Sequence, residues 1–196
     1  MNYQKDVSDF MILGEQKISP DLNLNNEQTQ LYMNLIKEEF EETAKAFDEE
    51  DLIEVADGLA DMVWVIMGMC NSVGIDFDKI WEEVKSSNMS KFVDGKFIKN
   101  EQTQLYMNLI KEEFEETAKA FEEEDLVEVA DGLADMVWVI MGMCNSVGID
   151  FDKIWEEVKS SNMSKFVDGK FIKNDAGKIM KPETYFKPNI KKALGL

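Results

Sequence analysis

The chain has 196 residues, 44% of them apolar, and sets 40 acidic against 21 basic residues for a formal charge of −19. A field of that sign repels nucleic acid polymers and anionic membrane surfaces, which are held by basic stripes that release counterions. Every basic residue is a lysine and histidine is absent, which excludes Ser-His and Cys-His nucleophiles, imidazole metal ligands and bidentate guanidinium clamps.

Residues 1–26 form a segment that occurs once. Lys5, Asp6 and Asp9 stand where a secretory signal would carry its apolar core, so a cytoplasmic location is expected. The run from Asp6 to Gln16 predicts one short helix, stopped well before Pro20. From Glu27 the chain repeats itself: Glu27–Asn100 recurs as Glu101–Asn174, a period of 74 residues. Only Asp48 to Glu122 and Ile53 to Val127 differ, and no linker separates the copies. The layout is therefore 1–26, 27–100, 101–174 and a tail, 175–196. Removing one copy leaves about 122 residues, an ordinary domain size.

In the first copy, Glu27 to Phe47 placed at ~100° per residue gathers Leu31, Tyr32, Met33, Leu35, Ile36, Phe40, Ala44, Ala46 and Phe47 on one arc. Glu38 and Glu41 suit the solvated side, but Glu39 and Glu42 fall within the apolar arc and are expected to point inward. After the turn Asp48-Glu49-Glu50, a helix over Asp51–Asn71 is apolar almost all round beyond its first turns, the pattern of a central buried helix. Its uncharged stretch, Met62–Ile75, and the repeat of it at Met136–Ile149 are shorter than the ~20 residues that span a bilayer. Cys70 and Cys144 lie inside these stretches, outside any C-x-x-C pair, and read as small buried hydrophobes. Yet Glu54, Asp57 and Asp61 share one stripe of that helix. No basic residue of either helix shares these faces, and unopposed carboxylates repel one another and resist desolvation. A divalent cation is the physical remedy, and oxygen donors without His or Cys select Mg²⁺, Mn²⁺ or Ca²⁺ over zinc.

A third helix is expected after Gly74, capped by Asp76, with Phe77, Ile80, Trp81 and Val84 as its apolar face. Asp94-Gly95 then marks a hairpin turn between Phe92-Val93 and Lys96-Phe97-Ile98, and the second copy repeats the series. The tail has a turn around Ala176-Gly177, and Pro182 and Pro188 predict an extended docking segment. The expected class is all-α, a helical bundle built from two near-identical tandem units.

The run Glu38-Glu39-Phe40-Glu41-Glu42, followed on the next helix by Glu54-Val55-Ala56-Asp57-Gly58-Leu59-Ala60-Asp61, resembles the E-x-x-E and E-x-x-D signature of all-α nucleoside triphosphate pyrophosphohydrolases. That superfamily includes MazG, dimeric dUTPase and phosphoribosyl-ATP pyrophosphohydrolase. Ser87-Asn88-Met89-Ser90-Lys91, Asp94-Gly95-Lys96, Gly177-Lys178 and Lys181-Pro182 bring the likeness closest to the small MazG-like, phosphoribosyl-ATP-pyrophosphohydrolase-like members.

The resemblance implies a bundle whose carboxylates hold Mg²⁺, or Mn²⁺ in its place. It also implies cleavage of a nucleoside triphosphate between the α and β phosphates to a monophosphate and pyrophosphate. Glu39 and Glu42 match the first motif. The second fits two registers: Glu54 with Asp57, or one ending at Asp61 in which Gly58 stands where a glutamate belongs. Carried over, Glu39 orients the attacking water as general base, and Glu42, Glu54, Asp57 and Asp61 hold metal. Their counterparts are Glu113 as base, with Glu116, Glu128, Asp131 and Asp135. Asn88 and Lys91, with Asn162 and Lys165, are implied to bind phosphate or sugar. Trp64 and Trp138 either stack on a base or, the favoured reading, pack the core.

Because the superfamily commonly assembles active sites at dimer interfaces, the resemblance also implies an intrachain pseudo-dimer and further homo-oligomers. The first copy lacks its own tail and the second its own leading segment, so the two sites are expected to be unequal. Two rival readings stand beside the enzyme. One is a non-catalytic acidic bundle acting as a scaffold or divalent-metal binder. The other is a Met-rich groove for a partner helix, although Met62, Met67 and Met69 fall on buried stripes.

Overall fold

The computed structural model describes residues 2–90, 103–172 and 180–196. Among them are α1 (Tyr3–Leu13), α2 (Glu27–Asp48), α3 (Leu52–Val73), α4 (Phe77–Ser90), α5 (Thr103–Glu122), α6 (Leu126–Val147), α7 (Phe151–Met163), a hairpin of β1 (Phe166–Val167) and β2 (Lys170–Phe171), and α8 (Ile190–Leu194). The class is all-α. No helix among the described residues is long and apolar enough to cross a membrane.

Local chemistry sets the helix ends. Asn26 accepts the backbone N–H groups of Gln28 and Thr29 at 3.0 Å each, and Asp51 does the same for Ile53 and Glu54 at 3.0 and 3.2 Å. Gly74, at φ 84°, stops α3 in the left-handed region. α1 begins earlier than its charge pattern implied, because Asn2 caps it by accepting from Lys5 N–H at 2.8 Å, and it stops before Gly14 rather than at Gln16. The hairpin turn is Asp168-Gly169, with φ 50° and 77°, both left-handed as a tight two-residue hairpin requires. Its first-copy counterpart, Asp94-Gly95, and the turn expected at Ala176-Gly177 lie outside the described residues.

α3 is buried on every side from Met62 to Val73. α2 packs along it, and their close approach depends on Gly58: a Cβ there would collide with the Thr43 side chain. Gly132 and Thr117 repeat the contact between α5 and α6. One expectation for α2 fails. Leu31 is 51% exposed, because neighbours cover a narrower stripe than the apolar arc, centred on Tyr32, Met33, Ile36 and Ala46.

Helices from the two copies interleave. α4 packs on α6 and α7 on α3, so Trp64 meets Trp155 at 5.4 Å and Trp81 meets Trp138 at 5.6 Å between ring centroids. Phe40 stacks on Phe114 where α2 and α5 approach. The segments that occur once both gather on α3 and α7. Asp6 of α1 accepts from Trp155 Nε1 at 3.0 Å and pairs with Lys159 at 2.9 Å. The N–H groups of Ser19 and Asn23 donate to the carbonyls of Asn71 and Val73. α8 lies against α7 and α3. Residues 180–189 run without helix or strand past Pro182 and Pro188 into α8, a short helix that the expected extended segment does not include. Cys70 and Cys144 are buried free thiols, and burial pushes each up to about 12.

Candidate active site

α2 and α3 present Glu39, Glu42, Asp57 and Asp61 to one another. Thr43 lies one turn beyond Glu39, donates its hydroxyl to the Glu39 carbonyl at 2.7 Å and abuts Gly58. Residue 58 has no room for a carboxylate, because its place is taken by the α2–α3 contact. Glu39, Asp57 and Asp61 are partly buried, whereas Glu42 and Glu54 are exposed. Glu42 therefore sits at the rim rather than pointing inward. It lies on the outer edge of the stripe that α3 covers, close enough to act on Glu39 and Asp61.

Burial pushes the Glu39 carboxyl up to about 7, and Glu42, Glu38 and Asp57 add to the rise while Lys165 opposes it. Asp57 is raised to about 6 by burial and then by Glu54, with Lys187 opposing. Asp61, the most deeply set, is held well above the usual carboxylate range by burial, reinforced by Glu39 and Asp57. One oxygen of Asp57, Oδ1, is buried without a hydrogen-bond partner among the described residues.

Two cations from outside these helices approach the cluster: Lys165, which the resemblance names, and Lys187, which the sequence reading does not single out. Lys165, beyond α7, acts on Asp61 and Glu39, and burial holds its ammonium below the usual lysine value. Its Nζ donates to Asn162 Oδ1 at 2.6 Å. Lys187, from the tail, acts on Asp57. Lys181 lies 4.8 Å from the centre of the Tyr185 ring, and both lie within the electrostatic reach of Lys165. A signal for this was present: residues 175–196 hold five lysines against two acidic residues in a chain of the opposite charge.

The second acidic set is built differently. Glu113 and Asp135 are partly buried, while Glu116, Glu128 and Asp131 are exposed. Asn88 crosses between copies and donates from Nδ2 to Asp135 Oδ1 at 2.9 Å. Lys91 lies outside the described residues. Trp64 is buried against Phe10 and Trp155, a core residue, and Trp138 is half-buried against Trp81.

Among the described residues no three acidic groups converge as a ready-made metal cage. The donor set nonetheless fits a hard divalent cation. It is oxygen only, its members raise one another's proton affinity, and Asp57 Oδ1 has no other partner.

The family profile of phosphoribosyl-ATP pyrophosphohydrolase matches residues 11–88 and again 93–162. An uncharacterized protein, L479, of Acanthamoeba polyphaga mimivirus is 28% identical over 150 residues, which make up 72% of this chain. The match spans 60% of that relative's length. No solved structure gives a significant match. With both copies matched in tandem, the chain belongs to the phosphoribosyl-ATP pyrophosphohydrolase family.

Proposed function

We propose that the protein is a Mg²⁺-dependent nucleoside triphosphate pyrophosphohydrolase that cleaves the α–β anhydride to a monophosphate and pyrophosphate, with Mn²⁺ an acceptable substitute. The observation that carries this reading is the gathering of Glu39, Asp57 and Asp61 on two packed helices, with a buried Asp57 oxygen left without a hydrogen-bond partner among the described residues. Family membership supports the pyrophosphohydrolase class.

Glu42, Asp57 and Asp61 would hold the metal, with Glu54 at the outer rim. Bound there, the ion would offset the carboxylate charge, neutralise phosphate oxygens and favour ionisation of water. Glu39 orients the attacking water and takes its proton, a task suited to a carboxyl whose affinity lies near neutral pH. The water oxygen bonds to phosphorus, the bridging P–O bond breaks in line, and pyrophosphate leaves. Lys165, beside Asn162, is placed to meet phosphate oxygens. The two copies act as an intrachain pseudo-dimer, a reading supported by the packing of α4 on α6 and α7 on α3.

The test is a panel of ribo- and deoxyribonucleoside triphosphates with and without Mg²⁺, reading pyrophosphate separately from orthophosphate. The expected result is Mg²⁺-dependent pyrophosphate with an equal amount of monophosphate. Orthophosphate alone, or thermal stabilisation by Mg²⁺ with no product, would overturn the reading. Glu42→Gln is expected to cost more turnover than Glu116→Gln, and equal halving by each would contradict two unequal sites.

A further inference from the structure

The sequence assigns no role to Lys181, Tyr185 or Lys187, yet the tail brings Lys187 to Asp57 and sets Lys181 and Tyr185 near Lys165, which itself acts on Asp61 and Glu39. The tail is fastened there. Ser161 Oγ donates to the Phe186 carbonyl at 2.8 Å, and Phe186 N–H returns to Ser164 Oγ at 3.2 Å. Beyond it, Glu157 accepts from Asn189 N–H at 3.2 Å and pairs with Lys192 at 2.9 Å, and Ile190 is buried. These bonds pin the tail on both sides of Lys187, and ahead of Lys181 the Met180 N–H donates to the Ile172 carbonyl at 2.7 Å.

These lysines are also not consumed by ion pairing. The direct ion pairs among the described residues join neighbours on one helix or its cap, or fasten α1 and α8 to α7. Lys165, Lys181 and Lys187 make no direct ion pair among the described residues. Lys181 adds to the cost of charging Lys165, while Asp61 and Glu39 offset it only at a distance, without a direct ion pair among the described residues. Clustered lysines not locked into direct ion pairs are free to turn to a multivalent anion. In a chain of net charge −19, an anionic substrate needs such a local reversal of sign to approach at all.

We propose that Lys181 and Lys187, with Lys165 and Tyr185, form a polyphosphate-binding wall carried by the tail, and that this wall makes the first acidic cluster the one that turns over substrate. The inference rests on the pyrophosphohydrolase reading for the identity of the substrate, but the wall is an anion site in its own right. The second cluster receives Asn88 from α4, while the chain's single tail is committed to α7 and α3.

The test measures binding of tripolyphosphate to the full chain by calorimetry with Mg²⁺ present, alongside pyrophosphate release from the preferred nucleotide. Lys181→Ala with Lys187→Ala is expected to weaken tripolyphosphate binding ~10-fold or more, as loss of charge-assisted hydrogen bonds does, and to raise KM more than it lowers kcat. Lys170→Ala, an equal charge change on the exposed hairpin, is the control and is expected to leave binding within about twofold. Unchanged tripolyphosphate affinity in the double variant overturns the wall, as does an equal loss in Lys170→Ala, which would mean a mean-field effect. If the wild type releases no pyrophosphate from any nucleotide but the double variant loses tripolyphosphate, the enzyme reading fails and the wall stands.

Discussion

Glu39, Asp57 and Asp61 keep protons that the unfolded chain would have released. Glu39 titrates at about 7 against an ordinary 4.5, and Asp57 at about 6 against 3.8, burial leading in both. Both folded values are raised, so the stability these groups contribute is complete below their unfolded values. It is lost as pH rises through about 6 and then 7. Allowing for the solvent each still sees, the loss is on the order of 2–4 kcal/mol. In chelator, Tm is therefore expected to fall by roughly 5–10 °C between pH 5 and pH 8, and Mg²⁺ is expected to recover most of that fall at pH 8. A calorimetric series in which metal-free stability climbs from pH 5 to 8 would contradict the buried-acid account.

At the scale of the elements, the α2–α3 contact fixes where the carboxylates stand. Alanine at 58 would gain ~1 kcal/mol of helix propensity over glycine, but its methyl enters the space of Thr43. Overpacking of that kind costs about 1–3 kcal/mol. Gly58→Ala and Gly132→Ala are expected to destabilise the chain similarly in urea unfolding. Gly58→Ala is expected to reduce turnover further, because Thr43 also holds the Glu39 carbonyl. A stabilised Gly58→Ala variant would show that propensity outweighs the contact.

The same elements show what could be read beforehand. α2, α3 and α4 fall close to their expected bounds because Asn26, Asp51 and Gly74 are local signals, and the central burial of α3 follows from its composition. Leu31 and Glu42 were misplaced because periodicity gives a direction but not the width of the face that neighbours cover. Asp57 and Asp61 were legible as carboxylates that no local residue opposes. Their cationic neighbours were not: Lys187 meets Asp57 only because α8 and the Ser161 and Ser164 bonds carry the tail back to α7. Nor could spacing explain Gly58, whose reason is a threonine on another helix.

Across the whole molecule, α1, α2, α3, α7, the hairpin and the tail touch one another directly, whereas α4, α5 and α6 are threaded between them in sequence. Deleting residues 75–148 would join Gly74 to Ile149 and return the chain of about 122 residues with these contacts kept. Without α6 the part of α3 that meets it would be uncovered, so the short chain is expected to pair with a second copy in sedimentation, and its specific activity to fall on dilution. The full chain, with its partner helices tethered, is expected to hold its specific activity over the same range. A short chain that stays monomeric and fully active would overturn this account.

Gly74 lies against the backbone of Asp21, while a side chain at Gly148, in the same local sequence, would meet nothing within 4 Å among the described residues. Trp155 is fully buried and its twin Trp81 only half so. Within one polypeptide, at one concentration and in one solvent, the molecule thus places matching residues in unlike surroundings. Each pair of equivalent substitutions has a common local propensity and a nearly common unfolded reference, so the difference between its two costs measures tertiary context alone. The chain carries its own reference state, and the contribution of the amino-terminal segment and tail can be read by subtraction.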